Sequence, residues 1–314
     1  MALMTRVAAV DCGTNSIRLL VADISDTAPA SLTDLDRRME IVRLGQGVDR
    51  TGRIAPEAME RTLEATRRFA AVCRELGAER VRFVATSASR DASNAAEFVA
   101  GVRDVMGVEP EVVTGSEEAA LSFAGATREL QGEHRAPYLV VDLGGGSTEL
   151  VLGSDGVRAA RSVDVGCVRM TERHLVSDPP TAAQVGAATA DVEAALDLAA
   201  TEVPIAETAT LVGLAGSVTT ITAHALRLQA YDAGRIHRAV LGVDVVRAAC
   251  TELLEMGHDQ RAALGFMHPG RVDVIGAGAL VWRCVVERVA HDAGITEVVT
   301  SEHDILDGIA WSLV

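Results

Sequence analysis

The chain has 314 residues, a formal net charge of −15, 48% hydrophobic residues and only 3% aromatic ones. Such a composition excludes intrinsic disorder, and the length suits about two domains with cores of Ala, Val, Leu and Ile. The acidic balance argues against nucleic acid or an anionic membrane as a partner. The five cysteines are scattered without a C-x-x-C pair, which fits buried thiols in a reducing cytoplasm better than disulfides or a zinc site. The eight histidines are equally dispersed, with no H-x-x-x-H pair, and read as surface or packing residues.

In chain order, "VAAVDCGTNSIRLLVA" (7–22) reads as strand, turn and strand, and Asp11 interrupts any secretory apolar run. "MEIVRLG" (39–45) is a further strand-like run. Pro56 opens a helix that Gly77 stops. "RVRFVATS" is a strand, Asn94 caps the next helix, "EVVT" (111–114) is a short strand, and Ser116 caps a helix carrying Glu117 and Glu118. Strands follow at 138–142, 147–153 and about 157–165, then a long Ala-rich helix near 181–202. "ATLVGLAGS" gives a strand into a loop. Helices near 243–256 and 271–291 precede a closing strand, turn and helix, "TEVVTSEHDILDGIAWSLV". The stretch Thr208–Leu226 is uncharged over 19 residues, but nine are Thr, Gly, Ser or His, so a strand, turn and helix explain it better than a membrane span. Short strands alternating with helices imply an α/β protein with largely parallel sheets.

A repeat underlies this order. "YLVVDLGGGSTELVLG" (138–153) matches the N-terminal hairpin, with Asp11, Gly13 and Ser16 recurring as Asp142, Gly144 and Ser147 at one offset of 131 residues. Gly144, Gly145 and Gly146 exceed what a hairpin turn needs, since one or two positive-φ positions suffice. Bare glycines expose backbone N–H groups that can cradle an anion, and Ser adds a hydroxyl donor. An Asp beside a phosphate makes sense if it holds a cation through oxygen, as Mg²⁺ prefers. One such loop is more simply a tight turn; two in register favour a polyphosphate gripped from both sides. Neither loop carries G-x-x-x-x-G-K-[ST] or leads directly into a helix, so P-loop and Rossmann readings fail.

These residues resemble the phosphate loops of the actin, hexokinase and heat-shock chaperone ATPase superfamily. Within it the chain is similar to the exopolyphosphatase/guanosine pentaphosphate phosphatase (Ppx/GppA) family. The likeness rests on "VDCGTNSIRLLVA", "RLGQGVDRTGRI", "ATSASRDASNA", "VVTGSEEA", "VVDLGGGSTEL", "GLAGSVTT", "RVDVIGAGAL" and "SEHDILDGI", in family order and over nearly the whole chain. It implies duplicated actin-like (ribonuclease H-like) domains with a central interdomain cleft. They would span 1–121 and 122–303, with a C-terminal helix at about 304–314 packing back on the first.

The resemblance further implies that Glu118 is the base activating water, with Glu117 favouring the helix dipole. It places Asp142 and Glu149 in catalysis and, with Asp11, on Mg²⁺ (or Mn²⁺). Gly13, Thr14, Asn15, Ser16, Arg90, Gly144, Gly145, Gly146 and Ser147 would bind phosphate. Without it, Glu118 reads as a helix-start acid, Arg90 as one arm of a surface salt bridge with Asp91, and Glu149 as a solvated strand acid. Arg18 stands where Glu149 stands in the second loop, which hints at opposite charges facing one site.

The expected activity is removal of the terminal phosphate of inorganic polyphosphate, with pppGpp as a related substrate, by a cytoplasmic homodimer. Longer relatives continue into helical C-terminal domains, so shorter polymers are the expected substrate here. A small-molecule kinase or ATPase, with "GLAGSVTT" at a nucleotide, and a non-enzymatic (p)ppGpp-binding regulator are the alternatives.

Overall fold

The computed structural model describes residues 4–25 and 30–314. The chain divides into two compact units, Met1–Gly125 with Ile305–Val314, and Ala126–Asp304.

Unit 1 begins with β1 (Met4–Cys12), β2 (Ser16–Ser25) and β3 (Ser31–Ile41), then α1 (Val48–Thr51), α2 (Pro56–Glu75), β4 (Arg80–Ala85), α3 (Ser87–Asp91), α4 (Ala95–Met106), β5 (Glu111–Val112) and α5 (Gly115–Thr127). Its sheet runs β3-β2-β1-β4-β5. The first three strands are antiparallel, while β4 lies parallel to both β1 and β5.

Unit 2 contains β6 (Tyr138–Leu143), β7 (Thr148–Gly153), β8 (Val157–Val163), α6 (Cys167–Arg173), α7 (Ala182–Ala200), β9 (Thr210–Leu214), α8 (Ala215–Ala225), α9 (Ala233–Ile236), β10 (Val240–Gly242), α10 (Val243–Glu255), α11 (His258–Ala262), α12 (Ile275–Ala293) and β11 (Glu297–Thr300). From β8 inward its order is β8-β7-β6-β9-β11, with β10 added at the edge. The two units therefore share one plan, an antiparallel three-strand meander followed by parallel strands. α13 (Ile305–Trp311) then returns to unit 1. The architecture is α/β and actin-like, but each sheet is mixed rather than largely parallel.

Strand alternation in β1 decides the layering of unit 1. Ala8, Val10 and Cys12 face a core with Ala58, Ala65 and Phe69 of α2 and Phe98 and Val102 of α4. Val7 and Ala9 face the opposite side, where Ile305, Leu306 and Ile309 of α13 pack. Gly308 lets α13 lie against α5, because a Cβ there would come within 2.0 Å of the Leu121 carbonyl oxygen. Arg37 on β3 pins the same helix through Asp307, 2.6 Å away and 2% exposed. In unit 2, Trp282 of α12 is buried against Gly213 of β9, where a Cβ would meet the ring at 2.6 Å.

Four local expectations change. The third strand is 31–41, not 39–45, because it is an edge strand whose polar residues ("SLTDLDRR") carry little apolar alternation. Asn94 makes no cap bond; its side chain instead accepts from Ile54 N–H at 2.9 Å and donates to the Ile54 carbonyl at 3.1 Å. Ser116 lies inside α5, and Thr114 does the capping: its hydroxyl accepts from Glu117 N–H at 3.2 Å, while Glu117 Oε2 accepts from Thr114 N–H at 2.9 Å. Those bonds hold the Glu117 carboxyl below its usual range. Finally, Ala215–Ser217 is the first turn of α8 rather than a loop. Among the described residues no helix is long and apolar enough to cross a membrane.

Candidate active site

In unit 1 the β1–β2 hairpin closes through Gly13 N–H donating to the Ser16 carbonyl at 2.9 Å. Neighbouring segments fix its backbone: the Thr14 carbonyl accepts from Gly45 N–H, and the Asn15 carbonyl from Val42 and Arg43 N–H. Gly45 must be small here, since a Cβ would meet Thr14 Cγ2 at 2.3 Å. The Thr14 hydroxyl lies 2.8 Å from the Ser87 hydroxyl on α3. Register puts Asp11 opposite Arg18, and Arg18 Nε and Nη2 both donate to Asp11 Oδ2, at 2.9 and 2.6 Å.

The same short helix reaches the acid of α5. Arg90 Nη1 donates to the Val113 carbonyl at 2.9 Å and to Glu118 Oε2 at 3.1 Å. Glu118 is 8% exposed. Unit 1 thus links Thr14, Ser87, Arg90 and Glu118 through α3, and Arg90 meets Glu118 rather than the surface partner Asp91 suggested by its sequence neighbourhood. The contacts of Thr14 with Gly45 and Ser87 span segments that sequence reading treats separately.

In unit 2 the β6–β7 hairpin closes in the same way, with Gly144 N–H donating to the Ser147 carbonyl at 3.0 Å. Gly144 has no positive φ, so its lack of a side chain serves space rather than turn geometry: a Cβ would sit 3.0 Å from the Ser147 carbonyl oxygen. The start of α6 takes up the loop carbonyls. Cys167 N–H donates to Gly144, Val168 and Arg169 N–H to Gly145, and Arg169 Nε to Gly146 at 2.7 Å. Gly166 permits this approach, because a Cβ there would lie 2.4 Å from the Gly145 carbonyl. Arg169, Gly166 and Ser162 were missed in the sequence; no motif marks them, since their relation to the loop is one of packing.

The equivalent of the Asp11–Arg18 pair is Asp142 opposite Glu149. Both are buried, at 7% and 0% exposure, and Ser162 donates to Glu149 Oε1 at 2.7 Å. Two like charges directly across a strand pair destabilise it unless something offsets them. An oxygen-seeking divalent cation fits that donor set, whereas at Asp11 the guanidinium of Arg18 already supplies the positive charge. Ser16 begins β2 and Ser147 precedes β7, each at the mouth of its own hairpin.

At the other proposed loop, Arg271 covers Gly216, where a Cβ would meet the guanidinium at 2.2 Å, and its Nη1 donates to Thr220 Oγ1 at 3.2 Å. Ala215 enters α8 in the left-handed region at φ 68°.

The Ppx/GppA phosphatase family matches residues 20–312. Exopolyphosphatase 2 of Mycobacterium tuberculosis is 53% identical over 317 residues, covering 99% of both chains. A crystal structure described as an exopolyphosphatase-like protein superposes with a TM-score of 0.95 at 44% identity, covering 99% of this chain and 98% of that one. The guanosine-5'-triphosphate,3'-diphosphate pyrophosphatase of Vibrio cholerae is 36% identical over 169 residues, 54% of this chain and 33% of that protein. With the family model matching residues 20–312 and a relative matched end to end, the chain belongs to the Ppx/GppA phosphatase family.

Proposed function

We propose that this protein is an exopolyphosphatase that hydrolyses the terminal phosphate of inorganic polyphosphate. The observation that carries the reading is the duplicated hairpin in which only one copy presents a buried carboxylate pair, Asp142 and Glu149. Phosphoryl transfer needs positioning, charge neutralisation and an oriented nucleophile, with little covalent work by the protein. Those needs match what each unit contains, and the name of the mycobacterial relative points the same way.

Asp142 and Glu149 would hold Mg²⁺, with Mn²⁺ as a substitute. When bound, that ion neutralises phosphate oxygens. Asp11 then serves chiefly to orient Arg18, with which it is paired. The N–H groups of Thr14, Asn15, Gly145 and Gly146, together with the hydroxyls of Ser16 and Ser147, would bind phosphate oxygens, while the Gly13 and Gly144 N–H groups close the hairpins that present them. Glu118 would take the proton from the attacking water, its carboxylate held in place by Arg90. Arg90 can turn to a phosphate oxygen when substrate arrives.

The second substrate is pppGpp, supported by the name of the Vibrio cholerae relative. All five cysteines are buried and free, in keeping with a cytoplasmic protein, and the expected assembly is a homodimer. The test is phosphate release from polyphosphates of several lengths, pppGpp and ATP, with and without Mg²⁺, with light scattering for the assembly. Transfer of phosphate to an acceptor in place of release, or binding of (p)ppGpp without turnover of any of these compounds, overturns the reading.

A further inference from the structure

Three side chains from distant parts of unit 2 converge outside the hairpin just described. Glu129 follows α5, His237 closes the C-terminal end of α9, and His303 lies in the turn after β11. Glu129 Oε2 is 3.0 Å from His237 Nε2 and 3.4 Å from His303 Nδ1. The two imidazole rings lie 4.6 Å apart at a tilt of 32°, and one ligand atom from each residue falls within 4.8 Å of the others. Zinc binds nitrogen and carboxylate oxygen at about 2.1 Å, so a tetrahedral ion separates its ligands by about 3.4 Å. Two edges of that polyhedron are already close to length.

The segments that carry these groups are anchored. Arg238, directly after His237, sits in the left-handed region at φ 63°, and its N–H donates to the Thr300 carbonyl at 2.7 Å. Its side chain pairs with Glu133, which belongs to the same stretch as Glu129. Ser301 N–H donates to the Gly213 carbonyl at 3.0 Å, fixing the turn that bears His303. Both imidazoles are half-buried and Glu129 is exposed, so an ion could enter from solvent. The donor set of two nitrogens and one carboxylate suits zinc, whereas Mg²⁺ favours oxygen alone.

A purely hydrogen-bonded cluster is the competing account. Glu302 N–H donates to His237 Nδ1 at 3.2 Å, which leaves the ring proton on Nε2, facing Glu129. Zinc at Nε2 requires that proton to move to Nδ1 and the Glu302 contact to open. One backbone hydrogen bond is a small loss against three metal–ligand bonds.

We propose that Glu129, His237 and His303 form a zinc site in unit 2, separate from the Asp142–Glu149 pair, with water as the fourth ligand. Glu129 lies just inside the start of the unit and His303 just before its end. A bound ion would therefore pin together the segments through which the chain enters and leaves.

Calorimetry with zinc chloride on the EDTA-stripped, dialysed full-length protein, in millimolar Mg²⁺, tests this without reference to phosphate release. One zinc per chain is expected, with a rise in thermal midpoint and a tetrahedral Co²⁺ absorption band in the cobalt-loaded protein. His237→Ala and His303→Ala should each weaken binding more than about 100-fold, since even losing a partner of a ligand costs 10–100-fold. Glu129→Gln, which keeps the shape of the side chain, covers the case of a misfolded histidine variant and should weaken binding in the same direction. His291→Ala, an exposed imidazole beside Asp292, should change nothing. Absence of stoichiometric zinc, or wild-type zinc affinity in both His237→Ala and Glu129→Gln, overturns the site and leaves the hydrogen-bonded cluster.

Discussion

The two hairpins differ at one position that sets their chemistry. In unit 1 the residue across from the loop aspartate is Arg18; in unit 2 it is Glu149. The backbone is shared down to the closing bond, Gly13 to Ser16 in one and Gly144 to Ser147 in the other. One copy is thus internally paired, acid with guanidinium, while the other gathers two buried carboxyl groups. The two hairpins thus differ in their cross-strand partner, and on the proposed function the cation belongs with unit 2 while Glu118 of unit 1 serves as the base.

The largest expected effect tests the role of unit 1. Glu118→Gln should lower phosphate release by roughly 10²–10⁴-fold with the fold intact, whereas Glu117→Gln, which loses only a cap contact, should do far less. Equal turnover by folded Glu118→Gln and wild-type protein removes the base from unit 1.

The next effect separates the two aspartates directly. Asp142→Asn and Glu149→Gln should each raise the Mg²⁺ concentration for half-maximal activity by more than about tenfold, as expected when a ligand of the ion is weakened. Asp11→Asn should leave that midpoint within about threefold, because its charge is met by Arg18. A metal titration that moves equally in all three variants breaks the asymmetry.

A smaller effect compares how each loop is buttressed. Gly166→Ala drives a methyl into the Gly145 backbone at 2.4 Å and should cost about 1–3 kcal/mol in urea unfolding. Gly45→Ala meets Thr14 Cγ2 at 2.3 Å, but a side chain can rotate away at the loss of its contact with Ser87, so its cost should be lower. The reverse order would mean that the first loop is the more rigid.

The smallest effect lies away from both hairpins. Arg227, with His224, holds the Glu252 carboxyl down to about 2, from an ordinary value of 4.5. Because the folded value is the lower one, the contribution is present above about pH 4.5 and lost as pH falls toward 2. The Glu252 side chain is 40% exposed, so screening limits the effect to about 1 kcal/mol or less. Glu252→Gln should flatten the acid limb of a stability–pH curve in that window; an unchanged limb assigns it to other carboxylates.

The sequence alone determined the elements with local signals and the duplication itself. Pro56 began α2 where expected, and the 131-residue offset of Asp11 and Asp142 announced paired hairpins, because a turn with its flanking strands is written in consecutive residues. The hairpin residues from Asp11 to Ser16 and from Asp142 to Ser147 were legible for the same reason, whereas Glu118 and Glu149 stood out only through the family resemblance.

What needed the tertiary structure was every partnership between segments. The polar edge strand β3 gave no alternation because only its neighbour β2 defines it, and Asn94 left its helix to serve Ile54. Arg169 and Gly166 matter because α6 packs its backbone against the loop. Arg90 finds Glu118 across 28 positions rather than the adjacent Asp91. Histidines that look dispersed in sequence, 237 and 303, come together beside Glu129 only when β10 pairs antiparallel with β11, which sets the start of one strand beside the end of the other. Local propensity acts over a few residues, whereas charge pairing and close packing act through space, and the fold sets those distances.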